Sequence, residues 1–308
     1  MTITVLDTLT GMTSVLDSPA QRREERLRTM LEPVRGMFRY FPGDVDPAAI
    51  HAMSMGFPLD RDGDAVHDAL GKLEEADAWA RIASALDHAV GIQMAAVPGL
   101  KVPDLTFLLV VGDPGDEYFM GPARGLSGNG SVTGYISLTV WPTQENLDRL
   151  EAAAVHELNH NLRYAPGGVV WDPATVAVGE QIVSEGLADA FARQLYGEAG
   201  YTPFAVPHLE NDEILHKVVT GLAVRDMRDF TAWVHGDPGA VRFGVEPVGL
   251  PMGAGYAVGN RIVDAYLEAT GKNAAQALHD SGDAIIATAL LSMGIDPDGA
   301  IAASRANG

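Results

Sequence analysis

The chain has 308 residues with 41 acidic and 21 basic side chains, and its formal charge of −20 argues against nucleic acid as a partner. It contains no cysteine, which excludes disulfides and thiolate metal sites and leaves imidazole and carboxylate as metal donors. No apolar run is long enough to span a membrane, and residues 1–7 lack the basic-then-apolar opening of a secretory signal, so a cytoplasmic protein without a membrane partner is expected.

Ser18-Pro19 opens a charged helix running through Arg22, Arg23, Glu24, Glu25 and Arg26 toward Phe38, with Ser18 as N-cap and Pro19 at the first helical position. Residues 47–55 form a short helix. Between 64 and 90 the spacing of Val66, Leu70, Leu73, Ala76, Ile82 and Leu86 predicts one or two more. Asp60, Asp62 and Asp64 alternate as in a calcium loop, but Ala65 stands where that loop needs glycine and Gly71 where it needs glutamate. An acidic helix start is the better account. Residues 105–111 are uninterrupted apolar sequence and read as a buried strand. Residues 121–130 are glycine-rich without the Gly-Lys-Ser/Thr ending of a phosphate loop, and read as a flexible or substrate-rim loop.

Residues 134–141 alternate in polarity and are rich in β-formers. They are either a sheet edge able to hold an extended peptide by main-chain hydrogen bonds, or an ordinary interior strand. Pro142 ends that strand and Thr143 is a plausible N-cap. Leu147, Leu150, Ala154, Leu158 and Leu162 then recur at helical spacing, and Tyr164-Ala165-Pro166-Gly167-Gly168 closes the segment. Late in this helix lies His156-Glu157-Leu158-Asn159-His160, a HExxH motif. Residues four apart on a helix stack on one face, so both imidazoles can grip one metal ion, with Glu157 beside them to accept a proton. The bland reading of Tyr164 is packing.

Catalytic zinc normally takes three protein ligands. Residues 179–196 predict a second helix of about five turns, on which Glu185 and Asp189 share a face. Glu185 is the expected third ligand. Asp189 would accept the outer N–H of an imidazole, most simply that of His156, fixing its tautomer. Two alternatives stand beside this: Glu185 as a surface residue paired with Arg193, and Asp189 as the ligand itself. Glu180 falls on another face and reads as solvated.

Residues 208–224 are partly helical, 236–239 form a turn, and 256–267 and 274–291 are helical again. An oxyanion formed at such a metal needs a donor from the protein. Tyr256, in the glycine-flanked run Gly255-Tyr256-Ala257-Val258-Gly259, is the first candidate, with helix-start packing as the alternative. His208, His216 and His235 follow.

With these residues in view, the chain resembles the glutamate-liganded zinc peptidases, the broad group that includes thermolysin, whose pattern is HExxH followed by Glu-x-x-x-Asp on the next helix. His-Glu-Leu-Asn-His-Asn-Leu-Arg followed by Ser-Glu-Gly-Leu-Ala-Asp-Ala-Phe is similar to a bacterial family of predicted zinc-dependent proteases, and the Gly-Tyr-x-x-Gly element extends the similarity over roughly residues 100–270. The resemblance implies a Zn2+ enzyme acting on peptides. The arginine-, alanine- and glycine-rich composition fits a GC-rich bacterial genome.

The expected fold is α+β: mainly helical, with a small β-sheet packed beside the HExxH helix and two lobes around a cleft. Residues 1–308 form one metallopeptidase-like domain, 1–140 giving a helical lobe with the sheet and 141–308 the zinc-binding lobe. Two other readings of function stand: a non-proteolytic zinc amidohydrolase, and a ligand-sensing or interaction module that keeps the zinc scaffold. Retention of Glu157 argues against the latter, since a structural zinc needs no such base.

Overall fold

The apolar run at 105–111 forms the central strand of a four-stranded mixed sheet in a computed structural model that describes residues 1–41, 43–172 and 175–296. By density of internal contacts the chain divides into two compact units. One comprises Met1–Gly91 and Lys101–Asn161, and the other Ile92–Leu100 and the chain from Leu162 onward. The class is α+β, as expected.

In the first unit β1 (Ile3–Val5) is followed by α1 (Thr8–Leu16), α2 (Ala20–Leu31), α3 (Pro47–Met53), α4 (Gly63–Glu75) and α5 (Ala78–Ala96). Then come β2 (Leu105–Val111), α6 (Glu117–Met120), β3 (Leu126–Asn129), β4 (Tyr135–Val140), α7 (Gln144–Asp148) and α8 (Leu150–Arg163). Strand order is β1-β2-β4-β3, with β3 antiparallel to β4 and the other pairs parallel. Helices α1 and α4 pack on β2. Leu105, Phe107, Leu109 and Val111 are therefore buried together with Leu108 and Val110, from both faces, which is why the strand shows no alternation.

Several local readings change. Helix α2 begins at Ala20 with Pro19 in the cap position, because the Ser18 hydroxyl donates to Ser14 O instead of capping. It stops at Leu31, and Pro33, lacking an N–H, leaves only a 3-10 turn as far as Phe38. The acidic turn at 60–64 leads into α4, as read, and its Arg61 engages both Asp62 and Asp113. Thr143 caps as expected, accepting from Asn146 N–H at 3.2 Å, but the helix it caps is the short α7, and α8 starts afresh at Leu150. The glycine-rich segment 121–130 contains an extended strand, β3. Strand β4 is interior, so the sheet edges lie in β1 and β3 and not in residues 134–141.

The second unit contains α9 (Val178–Tyr196), α10 (Asp212–Gly221), α11 (Met227–Val234), α12 (Asp237–Arg242), α13 (Ala254–Thr270) and α14 (Gly282–Ser292). Helix α9 is its core. Every residue from Val178 to Ala192 except Glu180 is buried, with α11, α13 and α14 packed around it. The α9–α13 crossing depends on two glycines. A Cβ on Gly186 would collide with the backbone of Gly259, and one on Gly259 with Ile182 O. The turn expected at 236–239 is the start of α12, with Pro238 in its first turn. Helix α14 begins only at Gly282, where the Ser281 hydroxyl accepts from Ala284 N–H.

Candidate metal centre

Helix α8 brings His156 and His160 together, as their i, i+4 spacing requires. Their Nε2 atoms lie 3.1 Å apart, with ring centroids 4.8 Å apart and planes at 80°. Glu185 on α9 completes a group whose ligand atoms all lie within 4.8 Å of one another. Among the described residues no other group of three histidines or carboxylates meets that condition. His156, Glu157 and Glu185 are each 8 % exposed and His160 is 5 % exposed. Carboxylates buried this deeply require a partner or a metal.

The donor set fits zinc. Two ligands at Zn–N distances near 2.0–2.1 Å on a tetrahedron stand about 3.3 Å apart, close to the separation of the two Nε2 atoms. Two imidazoles and one carboxylate leave the fourth position open, as catalytic sites require. The Nε2 atoms face each other, so Nδ1 is the outer nitrogen of each ring.

Glu157 projects toward the sheet edge. A Cβ on Gly128 would overlap its carboxylate, and a Cβ on Gly130 its backbone carbonyl. Gly128 and Gly130 thus make room for Glu157. The number of glycines in 121–130 disguised a strand as a loop.

The end of α8 is anchored by Arg163, which is fully buried. Its Nε and Nη2 donate to the Glu180 carboxylate at 2.8 and 2.9 Å, and its Nη1 to Leu278 O and Asp280 O at 2.7 and 3.1 Å. Glu180 is therefore not solvated as its helical face suggested; it neutralises a buried guanidinium. The Tyr164 hydroxyl donates to Glu180 Oε1 at 3.4 Å, and burial, followed by the Glu180 charge, pushes this phenol well above its usual range.

Around Glu185 the second unit supplies a polar framework. Asp189 is fully buried and accepts from Thr202 N–H and Asn260 Nδ2 on one oxygen, at 3.0 and 2.7 Å, and from the Thr202 hydroxyl on the other, at 2.8 Å. Arg193 pairs with Asp264. In the Gly-Tyr-x-x-Gly-Asn run, Gly255 clears Val234, Gly259 clears α9, and Asn260 ties α13 to Asp189. Tyr256, 9 % exposed, has its ring 5.2 Å from Phe204 and 5.8 Å from His235. Burial lowers the pKa of His235, and the Glu185 charge opposes that shift, which brings this histidine into the field of the Glu185 carboxylate. His216 lies exposed on α10 and His208 is half-buried at a 3-10 turn.

Asn161, Arg163, Thr202 and Asn260 escaped sequence reasoning. Asn161 and Arg163 had a visible signal in the unbroken string His-Asn-Leu-Arg following the motif. Thr202 had none, because it lies in an irregular segment.

The His-His-Glu group on the two helices could hold a zinc ion. The model of a family described as Predicted Zn-dependent protease (DUF2268) matches residues 81–287, and the chain belongs to that family. The uncharacterized protein YjfC of Bacillus subtilis (strain 168) is 28 % identical over 259 residues, covering 80 % of this chain and 84 % of that protein. No solved structure matches.

Proposed function

We propose that the protein is a zinc-dependent peptidase in which His156, His160 and Glu185 hold the metal and Glu157 is the general base. The observation that carries the reading is the convergence of the three ligand atoms within 4.8 Å, with Glu157 next to His156 in sequence. When bound, zinc supplies Lewis acidity toward a water nucleophile and a scissile carbonyl. Glu157 takes a proton from the water as its oxygen forms the C–O bond, then passes that proton to the amine nitrogen as the C–N bond breaks, which returns Glu157 to its carboxylate form. Tyr256 donates a hydrogen bond from its phenol to the oxyanion, and His235 is the second candidate for that donor. Asp189, one turn along α9 from Glu185, would accept the Nδ1–H of His156 and so fix the tautomer of that ring.

The peptide reading, as against a small-amide hydrolase, draws support from β3. The Trp141 N–H donates to Gly125 O at 2.7 Å, so ladder alternation turns Gly125, Ser127 and Asn129 toward β4. The backbone groups of Gly128 turn the other way, toward the sheet edge, as does the carbonyl of Leu126, whose N–H donates to Ala123 O at 3.2 Å. An extended peptide can pair there beside Glu157.

Glu157→Gln tests the mechanism. It should keep one zinc per chain by elemental analysis and lose about 10²- to 10⁴-fold in turnover of a peptide library. Wild-type turnover in that variant would remove Glu157 from the chemistry.

A further inference from the structure

The side chain of Asn161 ties the hairpin that carries β3 to α8. Asn161 lies one turn beyond Glu157 and is fully buried. Its Oδ1 accepts from Gly134 N–H at 2.8 Å, while Nδ2 donates to the carbonyls of Gly130, Val132 and Tyr135 at 2.9, 3.1 and 2.8 Å. Those four groups bracket the turn joining β3 to β4. The Tyr135 carbonyl points to the side on which β3 runs, but β3 ends at Asn129. The Asn161 amide stands where the next ladder partner would be. One turn back, Glu157 contacts the same hairpin: a side chain at Gly128 or Gly130 would overlap it. The helix therefore grips the hairpin at two levels, one through backbone-to-amide bonds and one through the base itself.

We propose that Asn161 is a positioning residue that fixes edge strand β3 against Glu157 and so selects which bond of an extended peptide meets the base. This rests on the peptidase reading above. Strand-paired peptides repeat every two residues, about 6.6–6.8 Å, while a reacting atom misplaced by ~1 Å can cost on the order of 10²-fold. The base and the strand must therefore share one rigid frame. Asn161 joins them through four hydrogen bonds, since it lies on the helix of the base and those bonds go to the backbone of the hairpin.

Asn161→Ala removes all four bonds. Asn161→Ser keeps a hydroxyl at the site and serves if the alanine variant does not fold. For each, zinc per chain, hydrogen exchange over residues 126–135, and cleavage of two substrates are measured. One substrate is a long peptide able to pair along β3, and the other a blocked dipeptide too short to reach it. The expected result is one zinc per chain, faster exchange in 126–135 than in wild type, and a loss on the order of 10²-fold in kcat/KM for the long peptide. Cleavage of that peptide should spread to neighbouring bonds, while the dipeptide changes by less than about threefold. Equal losses on both substrates, or an unchanged product pattern from the long peptide, would overturn the assignment. A wild type that cleaves no peptide sinks the peptidase reading and this inference with it. An active wild type with an unshifted variant sinks the inference alone.

Discussion

Glycine at position 128 is as specific a requirement as the histidines four apart on α8. Its missing side chain is the space in which the Glu157 carboxylate sits. Gly128→Ala should displace the base and lower turnover on the order of 10²-fold. Zinc content should stay at one per chain, because neither imidazole is touched. A variant with full activity would show that the working position of Glu157 lies elsewhere. At this scale the HExxH residues were legible from spacing alone, because helix geometry dictates which side chains stack. Glu185 was legible as one of two carboxylates on one helical face, and only the fold sets its ligand atom within 4.8 Å of those of the two imidazoles while giving Asp189 to Thr202 and Asn260. The partner of Glu180 was not legible, since helical phase says nothing about an arginine 17 residues away.

Helix positions depend on close approaches and on buried titratable groups. Gly186→Ala gains helix propensity, but its methyl would meet the Gly259 backbone, which cannot rotate aside. Overpacking costs about 1–3 kcal/mol, so the variant should melt lower and bind zinc more weakly, as seen in a thermal melt and a zinc titration. Unchanged values would mean that the α9–α13 crossing tolerates a wider spacing. Helix α3 offers a pH test. His51 is buried, its Nε2–H donating to Phe57 O at 2.9 Å, and burial holds its pKa down at about 4 against the opposing effect of that bond. The unfolded chain thus binds a proton between about pH 6.5 and 4 that the folded chain refuses. Stability should fall as pH drops through that window and level off below it, by roughly 3 kcal/mol in all from this group. His51→Gln should flatten that part of the curve, and an identical slope in the variant would assign it to other groups. The long helices and β4 were readable because each keeps one period, and β2 because its apolar run is unbroken. Strand β1, with three residues, and β3, with its glycines, carry too little pattern to read.

For the whole molecule, the metal is expected to be part of the fold. A ligand bound only by the native state stabilises it by about 4 kcal/mol when free zinc is a thousand times Kd. Zinc should therefore raise Tm and a chelator should lower it, and Glu185→Gln should reduce both effects. A melt indifferent to zinc and chelator would argue against the group as a native metal site.

Composition, motif and periodicity were enough to establish an α+β zinc-site protein, because donor chemistry and helical spacing are local properties of the chain. The choice of edge strand, the burial of Arg163 against Glu180, and the meeting of His235 and Tyr256 near Glu185 came from the folded chain alone. Each joins residues with no shared period. Such contacts are settled by how helices and strands pack, and packing energy belongs to the assembled core, not to any single segment of it.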